Sequence, residues 1–115
     1  MTKFLATQTG QKLAYSFTKG TGPTVVFLGG FKSDMEGSKA IFLEKWAEKR
    51  NRSFLRFDYS GHGQSTGDFL NLGIGDWFND TKQIIELTKN NGLILIGSSM
   101  GGWISLLLSR ELGSR

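Results

Sequence analysis

Residues Leu93 to Trp103 read LILIGSSMGGW: four apolar residues in succession, then Gly97-Ser98-Ser99-Met100-Gly101, then a second glycine and a tryptophan. A short continuous apolar run that stops at glycine has the pattern of a parallel strand covered on both faces. Met100 to Leu112 carries Trp103, Ile104, Leu106, Leu107 and Leu108, apolar nearly all round, the pattern of a helix that expects cover on most sides. Gly113 stands where a helix C-terminal glycine is expected. The G-x-S-x-G between strand and helix marks a sharp corner that carries its serine outward. Gly97 and Gly101 suit that corner because a Cβ would collide with the neighbouring backbone, and Gly102 is expected to add room for close helix–sheet packing. Ser99 is thereby expected at the carboxyl edge of a sheet, beside a helix N-terminus that favours developing negative charge. The plainer alternative is that Ser98 or Ser99 only caps the helix. The strand before and the helix after favour Ser99 as a nucleophile.

Working upstream, Thr24 to Leu28 (TVVFL) and Ser53 to Phe57 (SFLRF) are two more apolar runs rich in β-branched and aromatic residues, read as parallel strands. Ser38 to Arg50 lies between them, and its Phe42/Trp46 and Leu43/Ala47 pairs at i,i+4 predict an amphipathic helix, entered through a Ser33–Glu36 capping box or capped by Ser38. Ile74 to Lys89 places Trp77, Thr81, Ile84, Ile85 and Thr88 on one helical face. The spacing fits crossover units of about 30 residues or more. Phe4 to Thr7 and Leu13 to Phe17, joined across Gly10-Gln11-Lys12, predict an N-terminal antiparallel hairpin. The expected class is α/β: a β-hairpin, then parallel βαβαβ, then the helix after the serine corner.

Two further stretches sit at the expected carboxyl edge. Gly29-Gly30-Phe31 follows the first parallel strand directly, so its turn is placed to offer a backbone N–H, from Phe31, to an oxyanion at Ser99, with Met100 N–H as the second donor. A strand-end glycine turn is the plainer reading. Asp58-Tyr59-Ser60-Gly61-His62-Gly63-Gln64-Ser65 follows the second strand, and Asp58 and Ser65 are expected to hold loop N–H groups. His62 is set aside as a base, because in sheets of this design the histidine follows the serine in chain order and His62 precedes it. Trp77, Phe69 and Phe78 either line a pocket or, the favoured reading, pack the core.

The 115 residues contain no cysteine and a single histidine, which removes disulfides, thiol nucleophiles, thiolate metal sites and multi-histidine zinc sites. Fourteen Lys and Arg against ten Asp and Glu give +4, but the basic residues are scattered, so a solvated surface is favoured over a nucleic-acid face. Gly97 to Gly102 is not G-x-G-x-x-G, and no lysine follows to reach a phosphate, which argues against a nucleotide site. No apolar run reaches the roughly 18–20 residues of a membrane span, and Met1 to Gln11 lacks a signal-peptide pattern, so a cytoplasmic location without a membrane span is expected. No metal and no cofactor are expected.

Together Gly29-Gly30-Phe31, RFDYSGHGQS (Arg56 to Ser65) and GSSMGGW (Gly97 to Trp103) resemble the α/β-hydrolase superfamily. GFKSDMEGSKA (Gly30 to Ala40), joined to RFDYSG and GSSMGGW, is similar to the branch containing the mitochondrial acyl-protein thioesterase and acyl-glucuronide esterase of animals and its bacterial relatives. The resemblance implies a partial α/β-hydrolase fold, with residues 1–115 the N-terminal part of a single domain whose later strands, lid, acid and histidine are absent. It implies a serine hydrolase acting on small-molecule carboxylic esters or thioesters, with Ser99 as nucleophile and Phe31 and Met100 as oxyanion-hole N–H donors. The fragment alone is expected to be nearly inactive. The alternative is a small non-catalytic protein that binds an acyl group or carboxylate in the remnant of the site.

Overall fold

The computed structural model describes residues 2–88 and 92–112, so Gly113 and Lys89, the expected ends of two helices, lie outside the described residues. Two strands, β1 (Lys3–Ala6) and β2 (Lys12–Thr18), form the antiparallel hairpin that the chain's first turn residues predict. Three more follow: β3 (Thr21–Leu28), β4 (Arg52–Phe57) and β5 (Leu93–Gly97). The sheet order is β1-β2-β4-β3-β5, with β4, β3 and β5 parallel and β2 antiparallel to β4. Between and after them run α1 (Ser38–Lys49), α2 (Ile74–Ile84) and α3 (Met100–Leu112).

Alternation along β3 separates the core into two layers, as successive side chains of a strand must. Val26 and Leu28 face one side with Leu55, Phe57, Trp77, Ile84, Ile104 and Leu108, where α2 and α3 pack. Val25 and Phe27 face the other with Phe54, Ala40 and Ala47 of α1. The predicted face of α2 is the buried one, including Trp77, Thr81 and Ile84, and it continues over Ile85–Thr88 as a 3₁₀ turn where an α-helix was expected.

Three expectations are corrected. On α1 the expected Leu43/Ala47 pair faces the sheet, Ala47 being buried beside Ala40 and Leu43 packing against them, but Phe42 is 69% exposed, because two alanines let the helix lie close on the sheet and turn the larger rings outward. Trp46 is instead partly covered by the Arg50 guanidinium, 4.7 Å from its ring centroid. Neither serine caps α1: the N-cap is Gly37, with no side-chain hydrogen bond, and Asp34 rather than a Ser33–Glu36 box accepts the Glu36 N–H at 2.9 Å. Finally β5, read as covered on both faces, is only half-buried, with Ile94 41% exposed, since it pairs on one side with β3 alone. On α3, Ile104 and Leu108 are buried whereas Trp103 and Leu106 are exposed.

Arg56 fastens α1 to the sheet. Its guanidinium donates to both carboxylate oxygens of Glu44 at 3.0 and 3.3 Å and to the Met35 carbonyl at 3.0 Å. Burial disfavours the Arg56 charge, but the hydrogen bonds and charges of Glu44 and Glu36 outweigh it and raise the pKa further.

Candidate active site

Three loops leave the sheet at one edge, after β3, β4 and β5. The register pairs Leu28 with Gly97, and Phe27 with both Ile96 and Arg56, so these loops emerge side by side. Ser98 N–H donates to the Leu28 carbonyl at 3.0 Å, tying the β5 corner to the end of β3.

At that corner Ser99 has φ 56°, the left-handed region that costs a non-glycine residue about 1–3 kcal/mol. The glycines on either side are demanded by contact: a Cβ on Gly97 would overlap Gly101, and one on Gly101 would overlap the Leu28 carbonyl. Gly102 differs from expectation, since a Cβ there meets only open space. The helix-capping alternative gains no support: Ser98 Oγ accepts from Lys39 Nζ at 3.3 Å, and among the described residues neither serine hydroxyl takes an α3 N–H. Phe27, Phe42, Leu43 and Ile96 line an apolar groove that reaches Ser99 between α1 and β5.

The turn after β3 lies against this serine. A Cβ on Gly30 would stand 3.3 Å from Ser99 Cβ and 3.4 Å from the Ser98 carbonyl oxygen. Ser33 N–H closes the turn on the Gly30 carbonyl at 3.1 Å. Among the described residues neither Phe31 N–H nor Met100 N–H is taken by a protein acceptor, as two donors reserved for a ligand would be.

The third loop, residues 58–68, holds the first in place. Asp58 is buried; its Oδ1 accepts the Met35 N–H at 2.7 Å and its Oδ2 accepts the Gln64 N–H at 3.0 Å. That is the role the sequence assigned to Asp58. Ser65 accepts instead from Ala14 N–H of β2 at 2.8 Å and donates to the Asp58 carbonyl at 2.7 Å. Tyr59 Oη donates to the Gly29 carbonyl at 2.9 Å, and burial pushes its pKa well up. His62, 3% exposed, has both ring nitrogens engaged, Nδ1 with the Ser60 carbonyl and Nε2 with Lys32 N–H, each at 3.1 Å, and neither contact is to Ser99. Trp77 is core, as favoured, and Phe69 stacks on it at 5.7 Å. Tyr59 was not singled out by the sequence, because nothing local signals that its hydroxyl reaches a carbonyl 30 residues away.

Asp80 accepts from both Ser60 N–H and Ser60 Oγ, at 2.8 and 2.6 Å. Burial raises the carboxyl pKa of Asp58 and Asp80, outweighing the hydrogen bonds that lower it. A carboxyl whose folded pKa lies above its unfolded value binds a proton more tightly when folded. Its contribution is therefore most favourable below the unfolded value, about 4, and is lost as pH rises through the raised folded value. Relative to Asp80→Asn, the wild type loses stability over that window, measured as urea midpoints across a pH series. A wild type that gains on the variant as pH rises contradicts this account.

Residues 21–113 match the family described as serine aminopeptidase, S33. The chain is 39% identical over 94 residues to the mitochondrial palmitoyl-protein thioesterase ABHD10 of rat, which covers 82% of this chain and 32% of that protein. It thus spans about a third of that relative's length. The solved structure of α/β hydrolase domain-containing protein 10 from mouse superposes with a TM-score of 0.91 at 36% identity, over 95% of this chain and 44% of that one. A solved structure from Agrobacterium vitis S4 superposes with a TM-score of 0.92, also at 36% identity, over 100% of this chain and 46% of that one. The mixed five-stranded sheet and its helices form part of an α/β-hydrolase fold.

Proposed function

The chain belongs to the serine aminopeptidase S33 family, and from that premise we propose that it carries the nucleophile half of a serine hydrolase acting on carboxylic esters or thioesters. The left-handed backbone of Ser99 is the observation that carries this reading. A serine that merely turns the chain gains nothing from a strained φ, whereas a nucleophile gains an exposed hydroxyl at the sheet edge. The thioester option draws support from the name of the rat relative.

In the proposed reaction Ser99 Oγ bonds to the acyl carbon as its proton passes to an imidazole. The carbonyl oxygen, now an oxyanion, accepts from Phe31 N–H and Met100 N–H. Collapse of this adduct breaks the bond to the alkoxide or thiolate, which takes up the proton, and water then repeats the sequence to release the acid. His62, held on both nitrogens, is not that imidazole. The base is proposed to come from sequence outside this chain, so the 115-residue polypeptide by itself lacks Ser99-dependent turnover.

An activated phosphonate ester, which phosphonylates serine nucleophiles, tests the assignment. The expected result is a single adduct on Ser99 in the full-length hydrolase and none on the isolated chain under the same conditions. An adduct on Ser98, or ester hydrolysis by the full-length protein without any adduct, overturns the proposal.

A further inference from the structure

We propose that His62 is a positioning residue for the oxyanion turn, acting as its neutral Nδ1–H tautomer; this rests on the reading of Phe31 N–H as an oxyanion donor. The partners of the ring fix the tautomer. A backbone carbonyl can only accept, so the nitrogen facing Ser60 O must carry the hydrogen. A backbone N–H can only donate, so the nitrogen facing Lys32 N must be bare. The Ser60 carbonyl also accepts Trp77 Nε1–H at 2.9 Å, so that oxygen anchors both rings. Tyr59, Phe69 and Trp77 surround the imidazole with centroids 5.4, 5.2 and 5.0 Å away, and all three rings are steeply inclined to it.

What the bare nitrogen holds is the residue next to Phe31. Lys32 has φ 61°, a left-handed conformation that persists only where neighbours impose it. His62 Nε2 accepts the N–H of that residue, and Tyr59 Oη grips the other end of the turn at the Gly29 carbonyl. Phe31 and Lys32 add to the clamp: the Phe31 ring packs 5.1 Å from Phe69 and 5.8 Å from Trp77, and Lys32 Nζ lies over the Phe69 ring at 5.4 Å. His62 fixes the peptide plane joining Phe31 to Lys32, and the close approach of Gly30 to Ser99 restrains the preceding plane, which carries the Phe31 N–H and shares the Phe31 Cα with the first. An oxyanion donor is effective only if its direction is set before charge develops, so slackening this clamp weakens the transition state and leaves substrate binding alone.

The test compares His62→Phe, which keeps the aromatic packing and removes both polar contacts, with His62→Gln, whose side-chain oxygen reaches the position of Nε2. Both are made in the full-length hydrolase, and kcat is expressed per Ser99 titrated with the phosphonate, so that loss of folded protein does not enter. For His62→Phe a fall of about 10- to 100-fold in kcat with KM within about twofold is expected, less than removal of a donor outright. His62→Gln recovers most of it. An unchanged kcat per titrated serine in His62→Phe, or a His62→Gln as slow as His62→Phe, overturns the proposal. Should the variants not fold, ¹⁵N spectra of the wild-type imidazole decide: a bare Nε2 and protonated Nδ1 support the clamp, and the opposite tautomer overturns it. Failure of the underlying reading is separately visible in the wild-type phosphonate adduct, whose phosphonyl oxygen then makes no hydrogen bond to Phe31 N–H.

Discussion

On the proposed assignment, replacing Ser99 by alanine is expected to lower kcat of the full-length hydrolase by about 10⁴- to 10⁶-fold, the range for removal of the nucleophile of a serine triad. What remains is whatever binding and the two N–H donors supply without a covalent step. The substitution leaves KM and the melting temperature nearly unchanged, or slightly raises the latter. Alanine removes only the hydroxyl, for which no protein partner is found among the described residues. It keeps the Cβ that tolerates φ 56° as poorly as serine does. Ser98→Ala is the matching control. Its hydroxyl meets Lys39 Nζ at the exposed rim of the groove, and its loss costs at most a few-fold. A large defect in Ser98→Ala with a small one in Ser99→Ala exchanges the two roles and ends the assignment.

Gly101→Ala is expected to be among the most destabilising single substitutions in the chain, costing on the order of 3–5 kcal/mol or preventing folding. By helix propensity alone alanine is better than glycine in α3, by about 1 kcal/mol. Packing decides the other way, because the added methyl would occupy the space of the Leu28 carbonyl, backbone that no rotamer change can move aside. Relief requires α3 to back away from β3, which parts Ile104 and Leu108 from Val26 and Leu28 in the main core. Gly102→Ala, one residue on, adds its methyl to open space and gains up to about 1 kcal/mol from propensity. Opposite shifts in melting temperature are therefore expected from neighbouring, chemically identical changes. Equal shifts contradict the packing account.

This pair shows where sequence reading ends. The double glycine after Met100 is visible in the chain, and the need for close packing at the corner follows from the strand-to-helix motif. Which glycine meets the sheet depends on where α3 starts and how it leans on β3. The same limit applied to α1. Its i,i+4 repeat was legible, and of its two pairs Leu43/Ala47 faces the sheet while Phe42/Trp46 lies on the exposed side, so hydrophobicity alone does not select between them. Small residues face the sheet because close approach lets Glu44 reach Arg56 and lets Val25, Phe27 and Phe54 cluster with Ala40 and Ala47. The buried face of α2 was legible apart from Asp80, a buried carboxylate that its partner Ser60 rather than hydrophobicity places inward, because elsewhere on the helix the large residues and the inward face coincide.

By itself the sequence determined the elements and their local chemistry: a hairpin, three apolar strands, the helices between them and a serine at a glycine-bounded corner. Each rests on periodicity, β-branching or glycine placement within a dozen residues, interactions short enough in the chain to leave a local mark. Only the tertiary structure decided that β4 lies between β2 and β3, that the register sets Leu28 beside Gly97, and hence that Gly30 touches Ser99. It also decided what the lone histidine holds. Chain order excluded His62 as the base, but its grip on Lys32 spans 30 residues and depends on two loops leaving adjacent strands at one edge. Contacts of that kind are set by strand order and register, which follow from packing of the whole sheet rather than from any one stretch of residues.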